Sequence, residues 1–376
     1  MKKEFQGYHP LTESEIQELL RVATLSLDAN IMLNFFRFEK IHRDIIFRIL
    51  SNESINKRLF VPHHAALEFY ENLDEVSGEP FTKVDDIVRV IKSFKKENFG
   101  LTETIKESSI YSDLYKNISN DLDRIVKVVA LEKKKIQKSF DRKSILSQLE
   151  IMLDDKVGPP LPNEEVDVLI ETCILRQENK IPPGYGKDAN KPGAYSFSGI
   201  PLPKKCGDYF IWEQMIREGA KHKKPIIFIT DDEKPDWIKK TMQGPIPRPE
   251  LRMEFKNITG NDFYILNTKR FLSLAKMAFD AEIKTSQVDE IGEIAKRQGN
   301  WKDEVYNALR QLGGEADLKE IYKQVKNNRQ GNVPASFESI VRKSIYHYSS
   351  ETDIYLNKED LYTQVSSGRW KILGYS

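Results

Sequence analysis

Cysteine is nearly absent, with Cys173 and Cys206 the two examples in 376 residues. So few exclude a disulfide scaffold and a cysteine-ligated zinc cluster, and a reducing cytoplasm is the expected compartment. Long apolar runs are missing too. No stretch approaches the roughly 20 apolar residues of a membrane span. The opening MKKEFQGYHP lacks the apolar core of a signal peptide. Charge of one sign is also lacking. The formal net charge is +1, so contact with nucleic acid has to come from local patches or through a bound cation. No internal repeat or low-complexity tract occurs.

What is present suits a globular chain: 39% hydrophobic and 31% charged residues, long enough for two or three domains. Thr12 to Ala23 predicts a helix with a capping box, Thr12 followed by Glu15. Short apolar strands are expected around Leu25 to Leu27, Leu59 to Val61, Pro225 to Thr230 and Phe263 to Leu266. Helices are expected between them, over Ile31 to Phe38, Ile41 to Leu50, His63 to Leu73, Gly207 to Glu218 and Thr268 to Phe279. Alternation of this kind predicts an α/β fold with a mainly parallel sheet. From Pro80 to about Asp155 the chain turns lysine- and glutamate-rich with apolar residues at helical spacing, which predicts long amphipathic helices. Its KVVALEKKKIQK segment reads as a solvated helix face before a nucleic-acid patch. Pro162 to Asn179 predicts a helix with Asn163 as N-cap. The stretch IPPGYGKDANKPGAYSFSGIPLPKKCG is too rich in Gly and Pro for a helix or a central strand.

Four acidic positions follow apolar runs: Asp28 in LSLDANIMLNFF, Glu68 in LFVPHHAALEFY, Asp208 in KKCGDYFIWEQM and Asp231-Asp232 in PIIFITDDEKPDW. Ligands of open α/β sheets bind at the carboxyl ends of strands. Carboxylates gathered there repel one another unless a cation holds them. Taken singly, each acid has a plainer reading as a helix cap, a turn or a surface carboxylate. His63-His64 next to Pro62 reads as capping and surface filling before metal ligation.

In this order the four motifs resemble those of PIN-like nucleases. TLSLDANIMLNFFR resembles a first motif with Asp28 and Asn30, FVPHHAALEFYEN a second with Glu68, GDYFIWEQMI a third with Asp208, and FITDDEKPDW a fourth. By family spacing the fourth acid is Asp232, two past Thr230, with Asp231 as the alternative. The Pro-Gly loop before Asp208 resembles a larger bacterial branch of the family. The resemblance spans roughly residues 20 to 280 and implies an α/β, Rossmann-like PIN domain, with 80–156 as a helical insertion. It implies a phosphodiesterase holding Mg²⁺ or Mn²⁺ on Asp28, Glu68, Asp208 and Asp232, with Asn30 and Thr230 behind them. The expected substrate is nucleic acid, RNA ahead of DNA, with bacterial defence or toxin-like cleavage as a context. Lys234, Lys187 and Lys191 are candidates for phosphate contact. Trp237 stacks on a base or anchors the core.

Residues 281–300 read as a linker or linking helix, and 301–376 as a separate small domain. Three helices closed by LYTQVSSGRWKILGY, a hairpin about Ser-Ser-Gly, resemble a winged helix of restriction and defence proteins. Arg342 and Lys343 on its third helix and Arg369 in the wing are the candidate nucleic-acid contacts. From Trp301 onward eleven Lys and Arg face ten Asp and Glu, a near-neutral balance that keeps a protein partner open beside DNA or RNA. Homo-oligomerisation is also left open. A non-catalytic binding module on the same scaffold is the competing reading, and a winged-helix transcription regulator is a weaker third.

Overall fold

The computed structural model describes residues 4–99, 112–242, 244–279, 283–296, 301–328, 337–355 and 360–374. Helix α1 (Glu13–Val22) starts at Thr12, and Thr12 and Glu15 form both halves of the capping box. It leads into β1 (Thr24–Leu27), then α2 (Ala29–Asn34), α3 (Lys40–Leu50) and the single turn α4 (Glu53–Asn56). After β2 (Leu59–Phe60) comes α5 (His63–Phe99), followed by α6 (Ser112–Ser139), α7 (Arg142–Leu153) and α8 (Val166–Glu178). The hairpin β3 (Ala194–Phe197) and β4 (Ile200–Pro203) precedes α9 (Gly207–His222) and β5 (Ile226–Ile229). A second hairpin, β6 (Ile238–Thr241) and β7 (Gly244–Pro247), leads to α10 (Pro249–Thr259), β8 (Phe263–Leu266), α11 (Thr268–Phe279) and α12 (Thr285–Lys296). The chain ends with α13 (Trp301–Gln311), β9 (Glu315–Asp317), α14 (Leu318–Asn328), α15 (Phe337–His347), β10 (Tyr362–Ser366) and β11 (Arg369–Ile372).

Two compact units result, Met1–Val166 with Phe210–Gly292, and Asp167–Tyr209 with Glu293–Ser376. The first is built on a four-stranded sheet in the order β2-β1-β5-β8, with every pairing parallel. The fold is α/β, as expected. Strands TLSL, IIFI and FYIL are buried along their whole length, as strands covered on both faces must be. Behind them Trp212, with no exposed surface, packs edge-on against Trp237 and Phe263 at 6.1 and 4.9 Å between ring centres. Burial of side chains this large contributes about 2–3 kcal/mol each.

Two elements depart from expectation, and a third resolves an alternative. Helix α5 runs on through Pro80 to Phe99. Proline removes one N–H bond from a helix, and here the turns that follow it are held by packing on α6. Lys133 pairs with Asp85 at 2.6 Å and Lys95 with Asp123 at 2.7 Å. Of the two alternatives for 281–300, residues 285–296 form the helix, with Val288 and Ile291 buried. Asp289 pairs with Lys269 at 2.8 Å, and Glu290 lies 3.0 Å from His42 Nε2. Asn163 opens a 3-10 turn, Asn163–Glu165, and the α-helix starts at Val166.

In the second unit α13, α14 and α15 surround a core of Val305, Leu309, Ile321, Val325, Val341, Ile345, Tyr362 and Trp370. The expected closing hairpin forms as β10 and β11. Strand β9 joins it, giving the antiparallel order β10-β11-β9. Glu315–Asp317 is too short and too acidic to read as a strand, and its pairing with β11 is what makes it one. The Pro-Gly stretch folds as the β3–β4 hairpin about Ser198 and Gly199, both at positive φ (52° and 82°). Next to it the two cysteines are joined: Cys173 and Cys206 form a disulfide with their Cα atoms 5.9 Å apart. This corrects the expectation of reduced thiols. Both are buried, and 33 positions separate them, so sequence spacing held no hint of the pair.

Candidate active site

Parallel strands β1 and β5 end side by side, and the residues that follow them form one hydrogen-bonded group. Asp28 caps α2, with Oδ1 accepting from the Ala29 N–H at 2.7 Å. Its Oδ2 accepts from Asn30 Nδ2 at 2.5 Å and from the Thr230 hydroxyl at 2.6 Å. Thr230, 2% exposed, spends its one proton on Asp28. Its oxygen then accepts from Asn30 Nδ2 at 3.0 Å and from the Asp232 N–H at 3.1 Å. Asn30 Oδ1 closes the group by accepting from the Asp231 N–H at 3.2 Å. Every side-chain polar atom of Asn30 and Thr230 is thereby used to hold the end of β1 against the end of β5.

Burial pushes the Asp28 carboxyl up from 3.8 to about 6. The Thr230 hydrogen bond opposes that rise, the negative charge of Asp232 adds to it, and Lys234 and the Ala29 N–H lower it. Asp232 is paired with Lys234 Nζ at 2.6 Å, its side chain one-third exposed. Asp28 and Asp232 are thus two carboxylates at one rim, one dry and one reaching solvent.

The adjacent Asp231 faces elsewhere. Its Oδ1 accepts from the Thr268 N–H at 2.8 Å, and its Oδ2 from the Thr268 hydroxyl at 2.7 Å and Asn34 Nδ2 at 3.0 Å. It sits at the N-terminus of α11, where the helix dipole favours an anion, although burial raises its carboxyl above the usual range. Between the two alternatives for the fourth acid, the carboxylate beside Asp28 is Asp232. Sequence reasoning missed Asn34 and Thr268. The available signal was a second amide, Asn34, four residues after Asn30 in the helix ANIMLN, and a threonine directly after FYILN.

Glu68 lies on α5, its Oε1 3.8 Å from His64 Nε2 and its side chain 20% exposed. Asp208 stands in the first turn of α9 within the second unit. There the loop passes close: a Cβ on Gly184, which sits at φ +83°, would lie 3.3 Å from the Asp208 Cβ. Among the described residues no group of three or more His, Cys, Asp or Glu side chains gathers to hold a metal ion. Within the first unit the structure brings Asp28 and Asp232 together.

The basic and aromatic candidates are placed as follows. Trp237, 2% exposed, packs on Phe228 and Trp212 at 5.1 and 6.1 Å. That corrects the base-stacking alternative, because its faces are already covered by the core. Lys191 is paired with the buried Asp188 at 2.8 Å, holding the Pro-Gly loop. The Lys187 side chain lies outside the described residues. Arg342 Nε donates to the Tyr322 hydroxyl at 3.2 Å, Lys343 is half-buried, and Arg369 is paired with Glu315 at 2.7 Å. No described helix is long and apolar enough to cross a membrane.

No curated protein and no solved structure matches the chain. The sequence profile of the PIN-like domain matches residues 24–251, which takes in every strand of the parallel sheet except β8. With a parallel α/β sheet and an Asp-Asn/Thr-Asp group at its carboxyl rim, the chain belongs to the PIN-like domain family.

Proposed function

We propose that the protein is a metal-dependent nuclease that hydrolyses phosphodiester bonds, with RNA ahead of DNA as substrate. PIN-like domains are generally nucleases, and the observation that carries the reading to this chain is the Asp28–Thr230–Asp232 group. Two carboxylates beside one another, with Asp28 raised by burial and by its neighbour's charge, suit a hard divalent cation with oxygen ligands. Mg²⁺ or Mn²⁺ would be held by Asp28 and Asp232, and would supply charge compensation and an acidified water. The chain's own residues do the rest. Asn30 and Thr230 fix the Asp28 carboxylate so that it needs no reorganisation. Lys234, paired with Asp232, would meet a phosphate. Asp231 is assigned a structural role at α11. For Glu68 and Asp208 the support is their place in the sequence motifs, and their substitutions belong in the same test.

The reading extends to a nuclease domain over 1–280 with the 80–156 insertion, and a winged helix over 301–376. Helices α13 to α15 with the β9–β10–β11 sheet support the latter, with nucleic acid or a protein as its partner. The cytoplasmic location and defence context rest on sequence resemblance, and the Cys173–Cys206 disulfide speaks against a strongly reducing compartment.

The test is cleavage of labelled RNA and DNA with Mn²⁺, comparing the unaltered chain with Asp28→Asn, Asp232→Asn, Glu68→Gln and Asp208→Asn. Loss of cleavage in the first two supports the site, and cleavage surviving both refutes it. The lack of any three-acid group among the described residues favours a second reading, a binding module without catalysis. It predicts nucleic-acid retention with no calorimetric Mn²⁺ uptake that depends on Asp28.

A further inference from the structure

Helices α5 and α6 form a long antiparallel hairpin whose inner faces meet through half-buried residues such as Val88, Ile91, Leu122 and Val126. About a quarter-turn from each inner face runs a second apolar stripe, left in water. It consists of Ile87 and Val90 on α5, exposed by 51 and 59%, and Ile125, Val128 and Leu131 on α6, exposed by 47, 58 and 58%. The ion pairs Asp85–Lys133 and Lys95–Asp123 set the register of the hairpin. In that register Ile87 is level with Leu131, and Val90 with Val128. At ~100° per residue both stripes are displaced from their inner faces in the same rotational sense along their own chain direction. Antiparallel helices then present both on one side of the hairpin. A contiguous exposed apolar face of this kind marks an interaction surface.

Charge along α6 selects the occupant. Taking Val128 as the centre, Ile125 and Leu131 lie three residues to either side, Arg124 and Glu132 four, and Asp121 and Lys135 seven. The sign inverts about that point at both charged steps. A second α6 laid antiparallel on the first, Val128 over Val128, sets Ile125 against Leu131, Arg124 against Glu132 and Asp121 against Lys135, and does so twice by symmetry. All four charged side chains are reachable: Arg124 and Asp121 are 79 and 64% exposed, Lys135 and Glu132 72 and 55%. A nucleic-acid strand meets two carboxylates on the same stripe, which disfavours it.

We propose that this face is the interface of an antiparallel homodimer, in which α5 and α6 of two copies form a four-helix bundle centred on Val128. The charge inversion gives register and direction, and the apolar stripe gives the core. The dimer is independent of the nuclease reading.

The full chain is tested by sedimentation velocity with light scattering. It is expected to be a dimer, and Val128→Arg to weaken self-association by roughly a hundredfold or more. Its helical circular dichroism is expected to stay unchanged, because Val128 is already exposed. Under mild copper-phenanthroline oxidation Val128→Cys should cross-link to a second copy, while Ile41→Cys, exposed on α3, should not. A chain that is monomeric throughout the micromolar range overturns the proposal. So does a dimer that Val128→Arg leaves intact, or cross-linking equal at both positions.

Discussion

Asp28→Asn is expected to stabilise the folded chain above about pH 6 while removing cleavage. Burial moves the Asp28 carboxyl from 3.8 to about 6. Ionising it inside the fold is therefore ~3 kcal/mol less favourable than in the unfolded chain. Because the folded value is the higher one, the folded state holds an extra proton between about pH 4 and pH 6. The stability this group contributes is fully present below about pH 4 and is lost as pH rises through about 6. Asparagine keeps the shape and removes the charge. With its amide oxygen toward Asn30 and Thr230, its NH₂ meets the Ala29 N–H and forfeits one hydrogen bond, about 1 kcal/mol. The variant should gain ~1–2 kcal/mol near pH 8 and show no gain, or a slight loss, near pH 4. Paired urea titrations can be followed by fluorescence of the buried Trp212 and Trp237. Saturating Mn²⁺ should reverse the ranking at pH 8, because only the unaltered chain gains ligand-linked stability. A difference between the two proteins that is equal at both pH values would refute the assignment of a costly buried charge to Asp28.

Asp232→Asn should abolish Mn²⁺ uptake in calorimetry with a stability change within about 0.5 kcal/mol, since its side chain reaches solvent. Asp231→Ala should do the opposite, costing ~1–2 kcal/mol in urea through loss of its bonds to Thr268 and Asn34, with uptake retained. Equal effects from the two would remove the distinction between site and cap. Cys206→Ser should cost about 3–4 kcal/mol by opening the long loop to Cys173, and addition of dithiothreitol to the denatured, refolded chain should erase the difference. Gly219→Ala should lower the melting temperature by several degrees, an effect of about 1–3 kcal/mol. Its new Cβ would meet the Phe255 ring in a direct clash, and Phe255 is wedged between Trp212 and Phe263.

Local signals proved legible where one physical force dominates. The runs TLSL, IIFI and FYIL carry no charge and are mainly apolar, and their burial in a parallel sheet follows that composition. Thr12 with Glu15 closes a capping box because both partners lie within one turn. Legibility ended where the partner is distant in sequence. Cys173 and Cys206 carry no mark of their bond, and Glu315–Asp317 becomes a strand only because β11 is beside it. Pro80 reads as a helix end until α6 is seen to pair with Asp85 and Lys95 beyond it.

Within the candidate site the division is sharper. From its own letters the chain determined which residues follow buried strands: Asp28, Asn30, Thr230, Asp231 and Asp232 all sit where a parallel sheet exposes its carboxyl rim. Tertiary structure alone decided which carboxylate does what. Consecutive side chains past a strand end diverge, so Asp231 turns to the N-terminus of α11 and Asp232 to Asp28 and Lys234. No one-dimensional pattern encodes that choice, because it depends on where Thr268 and Asn34, 37 and 197 positions away, present their hydrogen-bond donors.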